Sequence, residues 1–246
     1  MDINDLSGRH IAITGAASGI GLATATLFAE QGARVALLDL DPRVEEVSKS
    51  IPGALTAITD VTSEASVNAG IEKIARSWGT LDGLVNCAGT DFTGSILDTT
   101  AEDWNRVVAI NLTGPYLACR AATPWLRKAK TATIVNVASG LALVPLLHRS
   151  AYCGSKAGVT MFSKALSMEL APAIRVNVVC PGVIDTPMFR NAWPDPEAVQ
   201  RILNFYAIKK LPSARNLAHS ILFLTSEASS HITGIALASD GGRSFH

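Results

Sequence analysis

Short runs of β-branched and aliphatic residues alternate along the chain with longer stretches whose apolar positions recur every three or four residues. The short runs are HIAIT at 10–14, RVALLD at 34–39, ALTAITD at 54–60, LDGLVNCA at 81–88, ATIVNVA at 132–138, RVNVVC at 175–180 and IALAS at 235–239. Helical periodicity is clear over 19–31, 63–77, 101–128 and 151–170, with Thr99 or Thr100 ahead of Glu102 and Asp103 as a capping start. Runs that are apolar on both faces belong in a sheet covered on both sides, and strands separated by helices pair in parallel. The pattern predicts an α/β fold, a doubly wound, seven-stranded parallel sheet flanked by helices on both faces, as one domain over residues 1–246.

One stretch breaks the rhythm. Residues 181–212 place Pro181, Pro187, Pro194, Pro196 and Pro212 among Met188, Phe189, Trp193 and Phe205. That composition predicts an irregular flap with an apolar underside, lying within the domain.

Composition narrows the class of function. A chain of 246 residues with 48% apolar content is long enough to bury about three quarters of its unfolded surface without disulfides. Twenty-one basic and twenty-one acidic residues cancel, so there is no net field to hold a polyanion, and neither nucleic acid nor an anionic membrane surface is an expected partner. No run of 18 apolar residues occurs, and MDINDLSGRH carries acids where a secretory signal needs a basic start; the expected location is the cytoplasm. Cys87, Cys119, Cys153 and Cys180 lie 27 to 34 residues apart with no C-x-x-C, which fits buried thiols. His10, His148, His219, His231 and His246 show no ligand spacing, and no metal is called for.

The segment HIAITGAASGIGLATATLFAEQGARVALLD reads as strand, glycine-rich loop, helix and second strand. Small residues at Gly15, Gly19 and Gly21 let backbone approach a pyrophosphate, and the N-terminus of the following helix offers free N–H groups and a partial positive charge. The second strand ends on Asp39, 24 residues past Gly15, close to the spacing of a carboxylate that accepts from both ribose hydroxyls and repels a 2′-phosphate. The expected cofactor is NAD rather than NADP, with Asp41 close enough to share the role. The fold is then of the Rossmann type.

Tyr152 and Lys156 are four residues apart, thirteen residues after Ser139. Four residues on a helix put a phenol and an ammonium on one face, roughly 6 Å apart along the axis. Bringing a phenol from a pKa of about 10 to near 7 needs roughly 4 kcal/mol of preference for the phenolate, which a neighbouring ammonium and a cationic cofactor ring supply together. Pro115 lies four residues after Asn111 inside a helical pattern. Proline cannot donate to the carbonyl four residues back, so a kink is predicted, with the Asn111 carbonyl free to accept a water on a proton path from Lys156.

Taken together, TGAASGIG at 14–21, DV at 60–61, NCAG at 86–89, Asn111, Ser139, YCGSK at 152–156, PGVIDTPM at 181–188 and DGG at 240–242 make the chain resemble the short-chain dehydrogenase/reductase family from about residue 7 to 242. The resemblance implies a catalytic set of Asn111, Ser139, Tyr152 and Lys156, with Ser139 and Tyr152 on the substrate oxygen. It implies a cofactor site of Gly15, Ser18, Gly19, Ile20, Gly21, Asp39, Asp60, Val61, Asn86, Ala88, Gly89, Tyr152, Lys156, Pro181, Gly182, Ile184 and Thr186. Alone, Asp60 reads as a capping residue and Asn86 as a strand-end turn former.

The residues flanking this set, Leu141, Leu143, Val144, Pro145, Asp91, Phe92 and the Met188–Phe205 flap, predict a mostly apolar pocket, with Arg149 and Arg190 either exceptions on its wall or, the favoured reading, on solvated faces. The expected reaction is hydride transfer between NAD(H) and a small neutral secondary alcohol or ketone of cyclic alcohol, polyol or sugar type. The alternatives are a 3-oxoacyl thioester reductase and, in another class, a dinucleotide-binding redox sensor without chemistry. The resemblance implies a homotetramer, and the surplus apolar positions Trp104, Val108, Leu117, Met161, Phe162 and Leu166 favour burial against a partner. The tail Arg243–His246 is placed to cap a neighbour's pocket.

Overall fold

The computed structural model describes residues 4–244. Seven strands, β1 (His10–Thr14), β2 (Arg34–Asp39), β3 (Leu55–Ile58), β4 (Gly83–Asn86), β5 (Ala132–Val137), β6 (Ile174–Pro181) and β7 (Ala236–Ser239), form one sheet in the order β3-β2-β1-β4-β5-β6-β7. Every pairing is parallel. The nine α-helices among the described residues are α1 (Gly19–Glu30), α2 (Val44–Val47), α3 (Glu64–Trp78), α4 (Ala101–Val108), α5 (Gly114–Leu126), α6 (Ser150–Leu170), α7 (Pro187–Ala192), α8 (Pro196–Leu203) and α9 (Ala214–Thr225).

Period-two alternation in the strands divides the core between the two faces. Ile11, Ile13, Val35 and Leu37 pack with Leu27 and Phe28 of α1 and Leu217 and Ile221 of α9. Ala12, Ala36, Leu38 and Leu84 pack on the opposite face with Ile71 and Ile74 of α3 and Leu117 and Leu126 of α5. Strand order reverses between β1 and β4, which opens a crevice beyond their carboxyl ends, the place where such sheets take ligands.

The helix starts follow their caps. Thr100 accepts from the Asp103 N–H at the head of α4, and Ser63 accepts from Ser66 N–H at the head of α3, which closes on Gly79 at φ 81°. Helix α9, absent from the sequence reading, opens on a capping box in which Ser213 and Asn216 each accept from the other's backbone N–H. The stretch expected to be irregular holds α7 and α8, both with proline in the first turn and capped by Thr186 and Asp195.

The proline at 115 acts on the helix as predicted in kind but not in form. Between α4 and α5 the chain makes a π-helical turn over Ala109–Thr113, in which the Gly114 N–H donates to the Ala109 carbonyl five residues back. The ladder shifts by one residue just ahead of the ring that cannot donate.

Candidate active site

The glycine loop is built for close approach. Gly15 sits at φ +67°, and a Cβ there would lie 2.6 Å from the Ala88 backbone N; at Gly21 a Cβ would lie 2.1 Å from the Gly15 carbonyl oxygen. Ser18 is extended at the head of α1 and makes no capping bond with its side chain, and no acid occupies the first turn. The N–H groups of that turn therefore lack a side-chain acceptor, the arrangement that receives a phosphate. Asp39 is held across the loop: Oδ2 accepts from Ala17 N–H at 2.9 Å and Oδ1 from Asp41 N–H at 3.0 Å. A carboxylate has about four acceptor positions, so two remain for ribose hydroxyls. Asp41 is engaged instead with Arg43.

A cavity of about 670 Å³ runs along this edge, lined by Gly15, Ser18, Gly19, Ile20, Gly21, Asp39, Asp60, Val61, Ala88, Gly89 and Thr186. These residues fit a dinucleotide in charge, shape and backbone donors. Asp60 also makes its own turn, accepting from the N–H and hydroxyl of Thr62 at 2.8 and 2.7 Å. Asn86 is the one expected cofactor residue that lines neither cavity. Its amide donates to Asn136 Oδ1 at 2.7 Å and its carbonyl accepts from Thr14, tying β1, β4 and β5 together inside the sheet.

A second cavity, of about 410 Å³, adjoins the first and is lined by Ser139, Tyr152, Lys156, Pro181, Gly182 and Ile184, with Thr186 and Gly89 shared between the two. Ser139 lies two residues beyond β5 and caps the short turn Gly140–Ala142, its hydroxyl accepting from Leu141 N–H at 3.1 Å. Tyr152 and Lys156 lie on one face of α6, the Lys156 Nζ 5.9 Å from the phenol ring centroid. Lys156 is 5% exposed and donates to the Val137 carbonyl at 3.0 Å.

Asn111 does not reach either cavity. It is fully buried in the π turn, where its Oδ1 accepts from Thr90 N–H at 2.8 Å and its Nδ2 donates to Thr90 O at 2.9 Å and Ser155 Oγ at 3.2 Å. The side chain thus clamps the loop after β4 to α6. It flanks Gly89 together with Lys156, since a Cβ on Gly89 would lie 3.3 Å from Asn111 Oδ1 and 3.4 Å from Lys156 Nζ.

Burial dominates the ionisation of the central pair. It pushes the Tyr152 phenol up to about 12, against the pull of the neighbouring Ser139 hydroxyl, while Asp91 raises and Arg149 lowers it. Burial brings the Lys156 ammonium down to about 8. The groups acting on the phenol do not include Lys156, whose ammonium is turned to Val137. In the chain by itself, then, the amine does not hold the hydroxyl near neutrality; the spacing places it correctly, but desolvation outweighs it.

The pocket walls differ from expectation in two respects. Leu141, Asp91, Met188, Phe189, Trp193 and Phe205 line the second cavity, whereas Leu143, Val144, Pro145 and Phe92 do not. Arg190 is exposed and paired with Asp185, as its surface reading implies. Arg149 takes the less favoured of its two readings: it is 7% exposed, ion-paired with Asp91, and borders the cavity. Arg243 also borders it, its guanidinium 5.7 Å from the Phe205 ring centroid; Phe245 and His246 of the tail lie outside the described residues.

A family model described as enoyl-(acyl carrier protein) reductase matches residues 15–244. The chain is 36% identical to 2,5-dichloro-2,5-cyclohexadiene-1,4-diol dehydrogenase LinX of Sphingobium indicum, with 97% of each chain covered. It is 35% identical to dehydrogenase/reductase SDR family member 6 of Danio rerio, over 96% of this chain and 98% of that one. Among solved structures, 3-ketoacyl-(acyl-carrier-protein) reductase from Brucella melitensis complexed with NADH superposes with a TM-score of 0.91 at 34% identity, covering 98% of this chain and all (100%) of that one. With a nucleotide cleft, a Ser139–Tyr152–Lys156 cluster at its side and likeness along nearly its whole length, the chain belongs to the short-chain dehydrogenase/reductase family of oxidoreductases.

Proposed function

We propose that the protein is an NAD(H)-dependent dehydrogenase of small neutral secondary alcohols and their ketones, of cyclic alcohol, polyol or sugar type. The observation that carries this reading is that Ser139, Tyr152 and Lys156 line one cavity, mostly apolar apart from them, the Asp91–Arg149 pair, Tyr206 and Arg243, which adjoins the Asp39 cleft. A nicotinamide bound there accepts or returns a hydride, and its oxidised ring carries positive charge. Tyr152 takes the carbinol proton in oxidation and returns it in reduction. Ser139 donates to the substrate oxygen and stabilises charge there. Lys156, fixed by the Val137 carbonyl, orients the cofactor ribose. Asn111 holds the Thr90 loop and α6 at a set distance, and its backbone carbonyl accepts a water on the path from Lys156 to solvent.

Helices α7 and α8 and the residues that follow each of them form a flap beside the cavity, whose lining includes Met188, Phe189, Trp193, Ile202 and Phe205. A homotetramer in the cytoplasm completes the reading. Trp104 and Met161 are 43% and 65% exposed, as a helical interface requires, whereas Leu117 is buried in its own subunit and Phe162 and Leu166 pack against the core. Sedimentation of the chain is the check on assembly. Among the described residues no helix is long and apolar enough to cross a membrane.

Asp39 carries the choice of cofactor. A 2′-phosphate about 4 Å from a carboxylate is repelled by roughly 1–4 kcal/mol per unit charge pair, which is about a 5- to 1,000-fold handicap. A panel of secondary alcohols and ketones, followed by absorbance of the reduced cofactor with NAD and NADP in parallel, is expected to show turnover with NAD favoured by that range. Replacing Asp39 with alanine is expected to narrow the ratio. Preference for NADP in the wild type contradicts the role of Asp39, turnover confined to acyl thioesters contradicts the substrate class, and tight NADH binding without turnover of any substrate supports a sensor.

A further inference from the structure

The wall of the substrate cavity carries one feature that hydride transfer does not use, the pair of Asp91 and Arg149. Arg149 stands at the head of α6, three residues before Tyr152, and Asp91 lies on the loop after β4 that Asn111 clamps at Thr90. Arg149 Nη1 donates to Asp91 Oδ1, which also accepts from Phe92 N–H at 2.9 Å. Asp91 Oδ2, Arg149 Nε and Arg149 Nη2 have no hydrogen-bond partner among the described residues, and none of the three is fully occluded. Both residues border the same cavity as Ser139 and Tyr152, so spare acceptor and donor capacity lies on its wall.

Stability does not account for the pair. An ion pair withdrawn from water is weak evidence of stabilisation, because desolvation offsets much of the attraction. Its chemistry points to a ligand. The pair has no net charge: a substrate carboxylate would meet Asp91, and a substrate ammonium would meet Arg149. A hydroxyl both donates and accepts through one neutral atom, and it is the group that alcohol substrates already carry.

We propose that Asp91 and Arg149 form a hydroxyl-reading subsite, so that the substrate carries a second hydroxyl near the reacting carbinol and is a diol or the corresponding hydroxyketone. The second hydroxyl donates to Asp91 Oδ2 and accepts from Arg149. The inference rests on the dehydrogenase reading above and narrows its substrate class.

The test compares kcat/KM with NAD for cyclohexanol and for cis- and trans-cyclohexane-1,2-diol, which differ by the one hydroxyl. Hydrogen bonds to charged groups predict that the wild type favours the better diol by about 10- to 100-fold. In an Asp91→Leu/Arg149→Met double variant, which leaves no unpaired charge, that ratio is expected to fall to near one. A merely structural role lowers both substrates by the same factor, so an unchanged ratio in the double variant overturns the proposal. A wild-type ratio near one overturns it as well, whether or not the double variant folds, and leaves the dehydrogenase reading standing if cyclohexanol is turned over. Absence of turnover with every alcohol, in protein that binds NADH, defeats that reading and the subsite with it.

Discussion

Tyr152→Phe is expected to lower kcat by about 10²- to 10⁴-fold, the usual contribution of a positioned acid–base group, while NADH binds as before. The substitution removes one oxygen and leaves the ring on α6. The oxygen removed neighbours the Ser139 hydroxyl, but neither the Lys156 bond to the Val137 carbonyl nor the Leu141 bond to Ser139 passes through it, so both anchors remain. The loss therefore falls on turnover. Steady-state rates by reduced-cofactor absorbance, beside fluorescence titration of NADH, separate the two. Turnover and binding falling together would mean that the phenol is a packing element. Unchanged turnover in folded protein would remove Tyr152 from the chemistry altogether.

Gly21→Ala is expected to weaken NADH binding by at least about 100-fold and to lower the melting temperature. A Cβ at this position would sit 2.1 Å from Gly15 O, 2.7 Å from Gly15 C and 3.0 Å from Ala16 Cα. All three are backbone atoms, so no rotamer change relieves the overlap and the loop must open by more than an ångström. That displaces the backbone donors meant for the pyrophosphate, and overpacking of this kind costs about 1–3 kcal/mol or more. Gly154→Ala is the matched control: its Cβ meets only a Trp104 side-chain carbon at 3.7 Å, and alanine favours a helix by about 1 kcal/mol over glycine. Equal NADH affinity in Gly21→Ala and Gly154→Ala would show that the loop is not a tight cradle.

The parts of this protein legible in its sequence are those set by local rules. Strand positions followed from runs such as TIVNV, and the cofactor loop from glycines whose spacing has one good steric explanation. Between 181 and 212 the number of prolines predicts an irregular stretch, whereas the chain there holds two helices. Pro187 and Pro196 do not break helices; each occupies the first turn, where a missing N–H is no loss. Helix α9 escaped because its cap uses Asn216 where glutamate or glutamine is the usual sign. Caps at Thr186, Asp195 and Ser213 were the available signals for all three.

The site shows a sharper limit. Spacing placed Tyr152 and Lys156 on one face of α6, but the ammonium answers to the Val137 carbonyl, and the ionisation of both groups is governed by how deeply the site is buried. Neither is a property of a four-residue interval. An isolated arginine favours a solvated face, and the carboxylate that pairs with Arg149 belongs to Asp91, 58 residues away. Asn86 joined the expected cofactor set through the company it keeps in the sequence, while its amide serves the sheet.

The central claim is that the Tyr152 hydroxyl is the group that exchanges the proton, its ionisation tuned by what fills the adjoining cleft. Burial raises the phenol to about 12 in the chain alone, and a bound cation favours the phenolate, so oxidised cofactor shifts the midpoint downward by about 1–3 units. The direct measurement is the tyrosinate absorbance of wild type minus Tyr152→Phe, titrated with and without NAD, beside the pH profile of kcat for alcohol oxidation. The expected result is a midpoint lowered by NAD that coincides with the pH at which oxidation reaches half its plateau. A midpoint that NAD leaves in place, or a rate profile that ignores it, would contradict the account.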